Sequence, residues 1–166
     1  MSYAGIMRRA VAVLGGAVVS LGLAGAVHAQ GTPDKGAPDK AAPARSAPVA
    51  GSLYERIGGD AKMHAVVNEF VDVMEADPRI NFTFANTDLA KFNKLLFEQL
   101  CNITGGGCTY TGRTMQESHQ KLNVTNAQFN ALAEDLYVAF ERTHVPYRLQ
   151  NKVMVLLAPM QKDIVK

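Results

Sequence analysis

The sequence predicts an all-α fold from about residue 51 onward. Three observations carry that expectation. Apolar residues recur at helical three-and-four spacing over several stretches of the C-terminal two thirds of the chain. Three pairs, Ser52/Glu55, Thr114/Glu117 and Thr125/Gln128, have the spacing of a capping box, the signature of a helix start. No alternating apolar and polar pattern of the kind a strand needs competes with these after residue 51. The expected organisation is a secretory signal at 1–29, a disordered Pro/Ala-rich linker at 30–51 and one helical domain at 52–166.

Taken in order, Ser52 and Glu55 open a very short helix, SLYERI, that Gly58 and Gly59 end. Asp60 is the expected cap of a second helix running to about Ala76, with Met63, Val66, Val67, Phe70, Val71 and Met74 on one face. Asp77-Pro78 breaks it, and a turn containing Phe82 and Phe84 follows. Thr87 or Asp88 caps a third helix reaching about Ile103, with Leu89, Phe92, Leu96, Leu100 and Ile103 inward. After Gly105, Gly106 and Gly107, Thr114 and Glu117 start a short helix presenting Met115, His119 and Leu122 on one side. Thr125 and Gln128 start a fifth helix with the stripe Phe129, Leu132, Leu136 and Phe140. Pro146 starts the last, whose expected buried side is Val153, Leu156, Leu157 and Met160, and Pro159 kinks or terminates it.

The N-terminus has a different composition. Arg8 and Arg9 precede an apolar, small-residue run from Ala10 to Val27, and Val27-His28-Ala29 forms a small-x-small site that leaves Gln30 as the new N-terminus. Export, to the periplasm, is the expectation, and an uncleaved anchor is the alternative. Cleavage would leave no stable membrane association. No cysteine near the site suggests a lipid anchor. Residues 30–51 are rich in Pro, Ala, Gly, Asp and Lys, have no apolar period and read as a tether. The chain's formal charge of +2 resides in Arg8 and Arg9, and from Gln30 onward 15 basic residues match 15 acidic ones. A neutral chain without a basic stripe argues against nucleic acid as a partner.

His119 is the histidine that stands out among four. An imidazole on a short helix among apolar groups suits a neutral nitrogen ligand to a metal such as haem iron. A packed histidine with a hydrogen-bond partner accounts for the same pattern.

Further residues carry a resemblance. SLYERIGG, FVDVMEADPRI, FANTDLAKF, the glycines with YTGRTMQESHQKLNVT, and VPYRLQNKVMVLLAP together resemble a group I truncated haemoglobin over nearly all of Ser52 to Val165. The combination is specific: a glycine pair after the first helix, the phenylalanine turn, YTG, and a histidine nine residues after that tyrosine. The resemblance implies a two-over-two helical sandwich around haem b, His119 as proximal iron ligand and Phe84 packed on the haem. It implies a distal pocket lined by Val71, Phe92 and Leu96. Val71 and Leu96 stand where such globins commonly have tyrosine and glutamine, so the pocket is apolar and lacks donors for oxygen. Binding of nitric oxide or carbon monoxide is left intact, and efficient nitric oxide dioxygenation is put in question. Gln99, one turn further on, is the nearest polar candidate for the pocket, and a surface-facing glutamine is the alternative.

Met115 and Val124 bracket His119 and, with Tyr110 and Phe129, are candidates to touch the haem; ordinary packing explains them as well. Lys91 and Lys94 are candidates for the propionates or members of a solvated face, and His64 and His144 read as exposed. The absence of CxxCH leaves the haem non-covalent by this reading. Cys101 and Cys108 flank the glycines, and in an exported chain they pair as a disulfide. A redox switch is the sharper alternative. The functional expectation is a haem b protein that binds a diatomic gas (oxygen, nitric oxide or carbon monoxide), with a dioxygenase-like or other haem redox activity left open. The alternative is an electron-transfer or sensor module acting through a protein partner such as an electron donor. A helical module without haem is the third reading.

Overall fold

A computed structural model of the chain describes residues 45–166. The expected signal segment and residues 30–44 of the expected tether lie outside the described residues. The described part is helical throughout: α1 (Leu53–Ile57), α2 (Gly59–Ala76), a 3-10 turn (Asn81–Phe84), α3 (Leu89–Ile103), α4 (Met115–His119), α5 (Asn126–Arg142), α6 (Tyr147–Leu157), a second 3-10 turn (Ala158–Met160) and α7 (Gln161–Ile164). Extended pairing among the described residues is confined to a single bridge between Val124 and Val165.

The helix starts follow the local chemistry. Thr114 and Thr125 each accept from the backbone three residues on, and Glu117 and Gln128 reach back to the cap, so both capping boxes close. Asp88 caps α3 by accepting from the Lys91 amide at 3.0 Å. The first box closes differently. Ser52 accepts from the Glu55 amide, but the Glu55 carboxylate takes the Gly51 amide at 2.7 Å, because the Ser52 amide is already bonded to the Val49 carbonyl.

Two further expectations are corrected. Asp60 does not cap α2. Gly58 does, at φ 125°, with Gly59 at φ 65°, and this left-handed pair turns the chain directly from α1 into α2. Asp60 sits in the first turn, where its carboxylate accepts from the Tyr54 hydroxyl and from Arg45. The inner face of the last helix is also shifted. Leu149, Gln150 and Val153 are buried, Leu157 and Met160 are half-buried, and Leu156 is 39% exposed. Pro159 ends the α-helical run at Leu157, so the face turns before the later residues come round.

α2 is the central element, packed on α5 and α3, and α6 lies against α1 and α5. Tyr54, Met63, Phe70, Leu100 and Phe140 are among the buried side chains of the main core. A smaller cluster of Val71, Met74, Ile80 and Ala131 fills the end of α2, with Phe84, Leu89 and Phe92 packed on it.

The last seven residues of the expected tether are held against the glycine loop. Ser46 and Val49 amides donate to Gly107 and Gly105 carbonyls, and Arg45 donates through Nε and Nη2 to the Gly106 carbonyl at 3.1 and 2.9 Å. Gly107, at φ 76°, has the Ser46 carbonyl where a Cβ would sit, so only glycine allows this approach.

Candidate functional site

His119 closes α4, a five-residue helix that its capping box pins at the other end. Its Nδ1 lies 2.7 Å from the Met115 carbonyl oxygen. A carbonyl can only accept, so Nδ1 carries the hydrogen, and the neutral form of such a ring has its lone pair on Nε2. That tautomer is the one a metal ligand needs, with ring orientation fixed by the backbone.

The chain on either side is tied down. Before α4, Glu98 of α3 accepts from the Thr111 amide and hydroxyl at 2.9 and 2.6 Å and from Lys94 at 2.7 Å. Burial pushes the Glu98 carboxyl up, but the Lys94 and Thr111 hydrogen bonds outweigh it and hold it below the ordinary carboxylate value. Tyr110 donates its hydroxyl to the Arg113 carbonyl at 2.9 Å, and its ring lies against Gly112, where any side chain would collide. Burial pushes its phenol up. After α4, the Lys166 amide donates to the Val124 carbonyl at 3.1 Å and joins the segment to the C-terminus.

Cys101 and Cys108 form a disulfide, with Cα atoms 5.6 Å apart, linking the end of α3 to the segment that leads to α4. The Asn102 amide closes the same loop on the Cys108 carbonyl at 2.8 Å.

The expected distal residues lie on α2 and α3. Val71 is buried, while Phe92 and Leu96 are half-buried. The rings of Phe84 and Phe92 meet at 5.3 Å, tilted 58°. Met115, Val124 and Phe129 are half-buried as well. Gln99 turns its amide to two thioethers, Met115 Sδ at 3.5 Å and Met160 Sδ at 3.4 Å, and so bridges α3, α4 and the C-terminal turn. Lys94 is engaged by Glu98, and Lys91 is exposed. His64 is exposed and stacks on Phe97 at 3.8 Å, and His144 is exposed in the turn before α6.

Among the described residues, no group of three or more His, Cys, Asp or Glu side chains is arranged to hold a bare metal ion. A lone histidine contributes one donor. Phe84, Phe92, Leu96, Met115, Val124 and Phe129 are half-buried apolar side chains.

Sequence reasoning missed three features: the Arg45 strap, the Met160 side of the Gln99 contact, and an acidic residue, Asp135, facing inward from α5. Asp135 had a readable signal. It lies one turn from both Ala131 and Ala139, so helical spacing puts it on the buried face.

The arrangement is all-helical and centred on α2, with a histidine-bearing short helix between two long ones. The chain belongs to the bacterial-like globin family, whose pattern it matches over residues 52–166. It is 30% identical over 113 residues to a group 1 truncated haemoglobin from Tetrahymena pyriformis, covering 68% of this chain and 93% of that protein. The crystal structure of that haemoglobin in its Fe(III) form superposes with a TM-score of 0.67 over 69% of this chain and 97% of that one. A 2/2 haemoglobin from Synechococcus, solved in the cyanomet state with covalently attached haem, is 31% identical, covers 69% of this chain and 98% of its own, and gives a TM-score of 0.66. The fold is the 2/2 globin fold. Haem binding and a diatomic gas ligand go with the family.

Proposed function

We propose that this chain holds haem b non-covalently through His119 Nε2 and binds a diatomic gas in an apolar distal pocket formed by Val71, Phe92 and Leu96. The observation that carries the reading is the 2.7 Å contact of His119 Nδ1 with the Met115 carbonyl, which leaves Nε2 as the free donor. Haem, when bound, would supply the iron that takes up the gas, and His119 Nε2 would hold that iron. Phe84 and Phe92 meet at a 58° tilt and would offer the haem an apolar contact. Val71, Phe92 and Leu96 offer no hydrogen-bond donor, so a ligand that develops negative charge gains nothing from them. Less polarised ligands, nitric oxide and carbon monoxide, lose little by comparison. Gln99 is a half-buried polar side chain on α3, the helix that carries Phe92 and Leu96. Its amide is paired only with thioethers, which are weak acceptors, so it is held lightly. Cys101–Cys108 and the leader-like N-terminus support export to an oxidising compartment such as the periplasm.

The test is the absorption spectrum of the chain purified with haem supplied, beside His119→Ala. The reading expects a Soret band in the first and its loss or a strong shift in the second. A colourless wild-type chain, or an unchanged spectrum in the variant, overturns it.

A further inference from the structure

The turn after α2 is fastened to α5 by a compact set of charges. Arg79, in that turn, contacts Asp77 through Nε at 2.8 Å and Nη2 at 2.7 Å, and it reaches Glu134 of α5 at 2.5 Å. Asp135, next on α5, has Oδ1 3.8 Å from Arg79 Nη2. Asp135 is only 4% exposed, and its Oδ2 has no hydrogen-bond partner. The Asp77 and Asp135 carboxyls approach the same nitrogen, Arg79 Nη2, at 2.7 and 3.8 Å, which brings the two acids together around one guanidinium. Burial first, then the charge of Asp77, push the Asp135 carboxyl up to about 6 against the pull of Arg79, with Glu134 adding a small push the same way.

One turn back along α5 from Asp135 is Ala131. It packs with Val71, Met74 and Ile80 in the small apolar cluster that also receives Phe84 and Phe92. The charged fastening and the proposed pocket therefore share a wall. We propose that Asp135 is a positioning residue for the gas pocket: its protonation sets how firmly the segment from Asp77 to Phe84 is clamped on α5, and so how far Val71 and Phe84 yield to an entering ligand. This rests on the gas-binding reading above.

When Asp135 takes a proton from water, its hydroxyl donates to the Asp77 carboxylate, and one negative charge then faces the Arg79 guanidinium together with that of Glu134. When the proton leaves, a second, buried carboxylate stands against Asp77, and its unpaired oxygen is drawn toward water. The clamp tightens in the first state and loosens in the second.

The experiment has two arms. Amide hydrogen exchange of residues 77–84 is followed in the whole chain without haem at about pH 5.5 and about pH 7.5, corrected for the intrinsic pH effect on exchange. Carbon monoxide rebinding after photolysis is followed in the haem-loaded chain across the same range. The wild type is expected to exchange several-fold faster at the higher pH, and to show a rebinding rate that inflects near pH 6. Asp135→Asn, whose amide supplies the donor permanently, is expected to remove both dependences. Asp77→Asn, which removes the like charge, is expected to move the inflexion to lower pH, a displacement that a purely structural role would not produce. An inflexion or an exchange difference that persists in Asp135→Asn overturns the proposal. A chain that takes up no haem overturns the gas reading, while an exchange difference lost in Asp135→Asn still upholds the clamp.

Discussion

His119 and Met115 are bound to each other across one turn of α4: the imidazole Nδ1–H donates to the Met115 carbonyl at 2.7 Å. The acceptor is the carbonyl of the first residue of α4, so the ring is anchored one turn back at the start of its own helix. The bond also fixes both the tautomer and the plane of the ring. Replacing His119 by Ala therefore removes an oriented donor without touching the core. We expect at least about a tenfold loss of haem affinity, about 1.4 kcal/mol, with helical content in the haem-free chain unchanged. Haem titration and far-ultraviolet circular dichroism read the two quantities, and equal haem affinity in the variant would count against ligation by His119.

The distal wall makes a second expectation. Leu96 is half-buried and stands one turn after Phe92 on α3, so a glutamine there points the same way with an amide at its tip. Leu96→Gln should slow oxygen dissociation by about tenfold, the effect of one net hydrogen bond of about 1.4 kcal/mol. Carbon monoxide dissociation should change far less. Stopped-flow measurement of both rates is the check, and parallel changes would mean that the substitution altered packing instead of polarity.

The helices, their starts and the candidate histidine were legible because their causes are local. The Thr114/Glu117 and Thr125/Gln128 boxes are four-residue motifs whose bonds form within the motif itself. Apolar periodicity likewise needed only the sequence of α2, α3 and α5. The misses depend on groups far apart in the chain. Asp60 is drawn from the capping role by Arg45 and Tyr54, and the Ser52 amide is taken by Val49 from a stretch read as tether. Arg45 meets Gly106 across 61 positions. No periodicity encodes such a pairing, which exists only once the glycine loop has folded.

The docking of that strap yields a third expectation. At Gly107 a Cβ would meet the Ser46 carbonyl, and the backbone there is left-handed at φ 76°. Gly107→Ala should cost about 1 kcal/mol in backbone strain alone and should lift residues 45–49 from the loop. Arg45 is then freed from Gly106 and Asp60, so trypsin should cut after it several-fold faster than in the wild type. Equal cleavage rates would show that the strap is not held by this approach.

The disulfide closes a small ring, so its stabilisation is modest. The chain-entropy account gives about 2–2.5 kcal/mol for the Cys101–Cys108 loop. Paired replacement of both cysteines by serine should lower unfolding free energy by that amount or less. Because the ring joins α3 to the segment before α4, the loss should be accompanied by faster amide exchange between Cys108 and Thr114. Denaturant unfolding with exchange mass spectrometry tests both, and unchanged exchange there would limit the bond to its own loop.

Asp135 gives the pH dependence a definite sign. Its folded carboxyl, raised to about 6 by burial and by Asp77, holds a proton more tightly than the unfolded one. Its contribution to stability is therefore fully present below the unfolded value of 3.8 and is lost as pH rises through about 6. Asp77 works the other way. Arg79 holds its carboxyl low, so its contribution is present at neutral pH and lost on acidification. Asp135→Asn keeps a donor toward Asp77 and cannot ionise. It should be more stable than the wild type at about pH 7.5 by up to about 3 kcal/mol, an advantage that shrinks toward zero near about pH 4. Urea unfolding followed at a series of pH values measures the difference. A variant no more stable than the wild type at neutral pH would mean that the buried carboxylate finds compensation that Arg79 at 3.8 Å does not supply.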